Sequence, residues 1–304
     1  MKIGLPEALL YHRYGVMWKI FFEELGCEVI TSGDTNKNIA ESGIFHSTSE
    51  CCLPAKVYLG HVASLQGRCD RVLVPRFERV SKGEEFCVRF WGLPDIVRAT
   101  FPGLPILTYN LKGDKPFGQL RCFLGLGDAL KKSRADALIA YHIAKKAQRL
   151  WDAEALAKQL THLGEGGLKV LIVSQPYIIH DRYIGSPVLG MLKEGGATPI
   201  FADNCERKLC RLRSKELSRD LYWTINKEII GAAALHRDKV DGVLFITSFP
   251  CGTDSLAFEL ALRRIRGIPA AHIVLDEQQG EAGLRTRIEC FLDILREGRR
   301  THAS

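Results

Sequence analysis

Two short apolar runs, Lys2-Ile3-Gly4-Leu5-Pro6 and Lys169-Val170-Leu171-Ile172-Val173-Ser174, constrain this chain more than any other feature. Their apolar residues follow one another without alternation, as in a parallel strand covered on both faces. The first run feeds a helical pattern around Trp18–Leu25 that stops at Gly26, then a strand at Glu28–Thr31. Further strand signals are Arg71–Val74, Pro105–Tyr109, Pro199–Ala202, Gly242–Thr247 and Ala271–Leu275, with helical patterns between most of them. Strand–helix alternation of this kind predicts parallel sheets with right-handed crossovers.

The stretch Gly125–Leu163 is rich in Ala, Leu, Lys and Arg and reads as helix; it closes a first domain or bridges two. Gly164-Glu165-Gly166-Gly167 breaks that helix and reads as a linker. The expectation is an α/β protein of two Rossmann-like open parallel-sheet domains, 1–164 and 168–304, with a helical connection. A chain of 304 residues is long enough for both cores.

Lys and Arg number 42 and Asp and Glu 35, a net charge of +7. The basic runs Arg207-Lys208-Arg211-Arg213-Lys215 and Arg263-Arg264-Arg266 read as solvated helix faces, and no nucleic-acid motif accompanies them. Glu7, His12 and Arg13 interrupt any signal-peptide core, and no apolar run approaches the roughly 18 residues of a membrane helix. A cytoplasmic protein with no membrane or nucleic-acid partner is expected. In that reducing compartment ten cysteines point to metal or redox chemistry more than to disulfides.

Three cysteine positions lie in loops next to Gly or Pro. Cys251 stands in Phe249-Pro250-Cys251-Gly252-Thr253-Asp254-Ser255, between a strand and a helix that Asp254 or Ser255 could cap. Cys51 and Cys52 precede Leu53-Pro54-Ala55-Lys56 and a helical pattern; Pro54 suits a first helical turn. Cys87 follows the strand Arg71–Val74 and a loop Pro75–Phe86. Free amides at a helix start stabilise a thiolate or an anionic cluster. Spacing alone does not decide between a metal site and packing, since free cysteine is also a small buried hydrophobe. For Cys27, Cys69, Cys122 and Cys290 the core reading is expected. Cys205 and Cys210, in a basic polar segment, have no metal-site spacing. His180 follows a strand and reads as a site residue or a structural one. No P-loop or nucleophile elbow is present.

The segments Lys2–Pro6 with Tyr14-Gly15 and Trp18, Cys52-Leu53-Pro54-Ala55-Lys56-Val57-Tyr58, Val74-Pro75-Arg76, Cys87 with Gly92-Leu93-Pro94-Asp95, and Pro250–Ser255 make a recognisable set. With the run Asp276–Arg287 they resemble the acyl-CoA dehydratase activase-related proteins, relatives of 2-hydroxyacyl-CoA dehydratase subunits and of double-cubane-cluster proteins. The resemblance implies two Rossmann-like domains with a [4Fe–4S] cluster, or a larger or bridged cluster, on Cys52, Cys87 and Cys251. Cys52 fits better than Cys51 because it directly precedes Leu53-Pro54-Ala55-Lys56. Three thiolates leave one iron open to act as Lewis acid or carry an electron.

The activity so implied is radical dehydration or reduction of a CoA thioester, through a ketyl radical that makes a β-proton removable. The low-potential electron would come from an ATP-dependent activator or reductase on another chain, and a homodimer or hetero-oligomer is expected. The alternative is a non-catalytic electron carrier or cluster scaffold serving a partner enzyme. Arg285 and Arg287 are expected to be structural or anion-binding and not catalytic, with Glu277 and Glu281 as ion-pair partners that favour the structural role.

Overall fold

The computed structural model describes residues 1–81, 83–113, 117–278 and 280–303; Gln279, in the C-terminal stretch that carries the resemblance, lies outside them. Two compact units emerge: Met1–Asp152 with Tyr222–Thr224, and Ala153–Leu221 with Ile225–Ser304. Both are Rossmann-like parallel-sheet units flanked by helices.

The first unit runs β1 (Lys2–Leu5), α1 (Tyr11–Glu24), β2 (Glu28–Thr31), α2 (Lys37–Phe45), α3 (Leu53–Ser64), β3 (Arg71–Leu73), β4 (Arg76–Ser81), β5 (Glu84–Glu85), α4 (Val88–Thr100), β6 (Ile106–Leu107), β7 (Asn110–Lys112), α5 (Gly118–Ala129) and the start of α6 (Arg134–Gly164). Its main sheet is parallel, in the order β2-β1-β3-β6. Phe21, Phe22, Phe77 and Phe123 are fully buried, and Phe21 meets Phe123 edge-on with centroids 4.7 Å apart.

The residues expected to form a loop between Pro75 and Phe86 instead build β4 and β5. They make a second sheet, β5-β4-β7, in which β4 pairs antiparallel with β5 and parallel with β7. Burying Phe77 against Tyr14, Phe86 and Tyr109 gives that segment its apolar anchor. Tyr222–Thr224 belongs to the same unit: Trp223 bridges Glu85, whose amide donates to the Tyr222 carbonyl at 2.9 Å.

The second unit holds β8 (Leu168–Ser174), α7 (Pro176–Ile179), α8 (Ser186–Glu194), β9 (Ala197–Phe201), α9 (Arg207–Arg213), α10 (Thr224–His236), β10 (Gly242–Ser248), α11 (Gly252–Arg264), β11 (Ala270–Leu275) and α12 (Glu281–Ala303). All its strands are parallel, in the order β11-β10-β8-β9. Counted within each parallel sheet, both therefore share the order second, first, third, fourth. Such a sheet has its topological switch between first and third strands, where ligands of open α/β sheets bind beyond the carboxyl ends.

Helix α6 ends at Gly164, where the glycines begin. The compact units part further upstream, between Asp152 and Ala153. The division follows the packing of α6. Ala137, Ala140, Tyr141 and Ala144 are buried in the first unit, whereas Gln159 bonds the Phe201 amide and carbonyl of the second at 2.8 Å each.

Candidate functional site

In the first unit the chain leaves β1 at Leu5 and β3 at Leu73, and the space beyond these ends is closed by α3 and α4. Cys52 is the N-cap residue of α3 and Cys87 the N-cap residue of α4, both in extended backbone (φ −66°, ψ 148° and φ −55°, ψ 144°). Pro54 stands in the first turn of α3, as its fixed φ and missing N–H allow. Neither sulfur makes a side-chain capping hydrogen bond. The first-turn amides of Ala55, Lys56 and Phe90 bond instead to the cap residues' own carbonyls, those of Cys52 and Cys87.

The two thiols feel one another. Burial pushes the Cys52 thiol up to about 11, and the neighbouring Cys87 and Cys51 add to the rise; the Ala55 amide and the Arg89 guanidinium oppose it. Two half-buried thiols side by side, one of which ionises reluctantly, are a donor set that a soft cation would relieve. Cys51 is buried. The motif pieces around the pair are joined: Arg76 donates to the Trp91 carbonyl and to Asp95 Oδ2, the latter at 2.7 Å, and Arg89 donates to the Glu50 carbonyl at 3.1 Å.

A small apolar pocket of about 10 Å³ lies at this switch point, lined by residues including Leu5, Pro6, Leu73, Tyr58, Phe90 and Leu93. It has room for roughly one water and no polar wall to hold it. A larger cavity, about 660 Å³, lies elsewhere in the first unit, with Tyr14, Gln119, Tyr141, His142 and Lys145 on its walls.

In the second unit Cys251 is the N-cap residue of α11, just beyond the carboxyl end of β10. Its sulfur lies 3.4 Å from Thr253 Oγ1. Neither Asp254 nor Ser255 caps the helix as expected. Ser255 Oγ donates back to the Cys251 carbonyl at 2.7 Å. Asp254 turns inward, fully buried, and accepts from Gln175 Nε2 and Asn226 Nδ2 at 2.7 Å each and from Thr247 Oγ1 at 3.2 Å. Burial pushes its carboxyl above the usual range; hydrogen bonds from Gln175, Asn226, Cys251 and Thr247 oppose that rise. This carboxylate ties the ends of β8 and β10 to α10 and reaches the Cys251 thiol. Nothing in the local sequence distinguished it from an ordinary capping residue.

Among the described residues, no group of three or more His, Cys, Asp and Glu side chains is gathered to hold a metal ion. Of the three expected ligands, the first unit assembles two, Cys52 and Cys87. The other expectations divide. Cys27 is buried, while Cys290 is exposed on the outer face of α12 and is no core residue. His180 is held by Asp203, Nε2 to Oδ2 2.8 Å, against the Phe201 ring. Burial pushes its imidazole down, Asp203 pushes it up, and the net shift is upward. Arg285 pairs with Glu194 at 2.8 Å and Glu281 at 3.3 Å, an exposed structural role.

No described helix is long and apolar enough to cross a membrane. The chain is similar to the solved structure of FpvC of Pseudomonas aeruginosa, a binding protein in complex with Ni2+, at 12% identity and a TM-score of 0.33, covering 99% of this chain and 97% of that one. It is also similar to the Mn-bound periplasmic metal binding protein of Candidatus Liberibacter asiaticus, at 10% identity and a TM-score of 0.30, covering 97% and 100%. Likenesses this distant decide nothing about this chain. No curated protein matches. The family match is of another order: it takes in the whole β1-to-β9 stretch, with Cys52 and Cys87 inside it and Cys251 beyond. On that match, over residues 2–205, the chain belongs to the family described as CoA enzyme activase uncharacterised domain (DUF2229).

Proposed function

We propose that this chain is an iron–sulfur component of a CoA-thioester enzyme system, with Cys52 and Cys87 as cluster ligands and Cys251 as the third. One observation carries the reading: two half-buried thiols stand at adjacent helix N-caps beyond the carboxyl end of a parallel sheet, in a member of a CoA enzyme activase family. The helix-start amides and Arg89 would offset the negative charge of thiolates bound to iron. Bound there, a [4Fe–4S] cluster would supply one-electron chemistry and, at an iron lacking a protein ligand, Lewis acidity. Its reductant is proposed to be an ATP-driven activator on another chain, within a cytoplasmic homo- or hetero-oligomer. The 660 Å³ cavity has the size of a small-ligand site, and Lys145 and His142 give it a wall that an anionic thioester could use.

The test is iron and acid-labile sulfide content after preparation without oxygen, alongside Cys52→Ala, Cys87→Ala and Cys251→Ala. The reading expects a cluster absorption band in the parent and its loss in each variant. A parent that binds zinc or no metal, or a full cluster retained without Cys52 and Cys87, overturns it. Turnover of a CoA thioester with an added activator distinguishes an enzyme component from an electron carrier.

A further inference from the structure

Cys205 and Cys210 take no part in that site, yet the second unit places them together. Helix α9 starts after Glu206, which is extended at φ −66° and ψ 99°. Cys205 is thus the residue before the cap, and Cys210 the fourth residue of the helix. Those two positions form the hydrophobic staple, in which apolar side chains on either side of a helix start pack together and fix the entry of the chain. Here both staple residues are cysteines, and the Cys210 thiol acts on the Cys205 thiol, whose Sγ donates to the Phe201 carbonyl at 3.6 Å.

The surroundings hold the pair still. Cys205 is 7% and Cys210 1% exposed. Gln159 Nε2 reaches Cys205 Sγ at 3.2 Å while also donating to the carbonyls of Phe201 at 2.8 Å and Asn204 at 3.2 Å. On the other side α10 presses directly on α9: a Cβ on Gly231 would fall 1.8 Å from the Cys210 carbonyl oxygen. The neighbouring Cys210 thiol, with burial, pushes the Cys205 thiol well above its ordinary range.

We propose that Cys205 and Cys210 are an oxidisable dithiol, a modification site at which the helix staple closes to an intrachain disulfide within the folded second unit. The oxidant is a low-molecular-weight disulfide. Two S–H bonds and the oxidant's S–S bond break. One protein S–S bond forms, and the two protons and two electrons leave with the oxidant as two small thiols. Neighbouring sulfurs already oriented by a helix start need little backbone movement to bond, whereas the unfolded chain must first close the loop.

The experiment incubates fully reduced protein, without oxygen, in graded mixtures of reduced and oxidised glutathione. Free thiols are then blocked with N-ethylmaleimide and the chain is cut with trypsin. Cleavage after Arg207, Lys208 and Arg211 puts the two cysteines on different peptides, so the disulfide is read as a linked pair that reduction separates. The expected result is this link in the folded protein at a glutathione ratio at least about tenfold more reducing than the urea-unfolded chain requires. Cys205→Ala and Cys210→Ala are each expected to abolish it; the wild-type peptide map decides the matter even where a variant does not fold. Both thiols blocked across the whole series, glutathione adducts in place of the link, or a link no easier than in the unfolded chain would each overturn the proposal.

Discussion

Arg89 Nη2 donates to the Glu50 carbonyl at 3.1 Å, so the chain just beyond Cys87 is fastened to the chain just before Cys52. The same guanidinium opposes the rise of the Cys52 thiol. Arg89→Met is therefore expected to push Cys52 above its value of about 11 and to slow its alkylation at mildly alkaline pH severalfold in metal-free protein. Peptide-resolved alkylation rates check this, with thermal unfolding as control. An unchanged rate in a folded variant would show that Arg89 has no hold on the thiol.

Helix α3, which presents Cys52, is set by close contact with α2. A Cβ on Gly60 would sit 1.9 Å from the Ile39 carbonyl oxygen, and one on Gly43 2.0 Å from that of Lys56. Gly60→Ala is expected to force the helices apart and destabilise the protein by at least about 1–3 kcal/mol. Gly125→Ala, in α5 with nothing within 4 Å, is the contrast and is expected to be neutral or stabilising by roughly 0.5–1 kcal/mol. Urea unfolding of the pair decides; equal effects would mean that α2 and α3 do not approach as described.

Asp254→Ala leaves Gln175 and Asn226 donors buried without their acceptor. An orphaned buried donor costs on the order of 1–3 kcal/mol, so a large loss of stability is expected. Denaturant melts of Asp254→Ala and of the double variant Asp254→Ala/Asn226→Leu measure it. The double variant should recover part of the loss, and a single variant as stable as the parent would remove Asp254 from its structural role.

His61 is fully buried, with Nδ1 2.7 Å from Ser32 Oγ and Nε2 2.8 Å from Thr35 Oγ1. Burial, with a lesser push from His12, lowers its pKa from 6.5 to about 4. The unfolded chain then binds a proton that the fold excludes. Stability should fall as pH drops from 6.5 toward 4, by up to about 3 kcal/mol, and level off below. The difference in unfolding free energy between parent and His61→Gln, followed across that window, isolates this contribution; a flat difference would contradict it.

The α/β class, the parallel strands and the helix starts that carry Cys52 and Cys251 were legible in residues 1–304 because they rest on local signals, whereas the helix that starts at Cys87 was not read from the sequence. Apolar runs of strand length mark β1, β8 and β10, glycine stops α1 and α6, and proline opens α3. Those signals act over a few residues and survive without a tertiary context.

The remainder came only with the fold. Arg76-Phe77-Glu78-Arg79-Val80-Ser81 has too little apolar patterning to announce β4, which forms because β7 and β5 pair with it and Phe77 finds an aromatic core. Asp254 reads as a cap in its own segment and becomes a buried clamp only because Gln175 and Asn226, 79 and 28 positions away, turn their amides toward it. Cys205 and Cys210 lack a metal-site spacing, but a helix starting between them makes neighbours of their sulfurs. Contacts of long sequence separation, and the burial that gives them their energy, are properties of the packed chain; a run of residues read alone does not contain them.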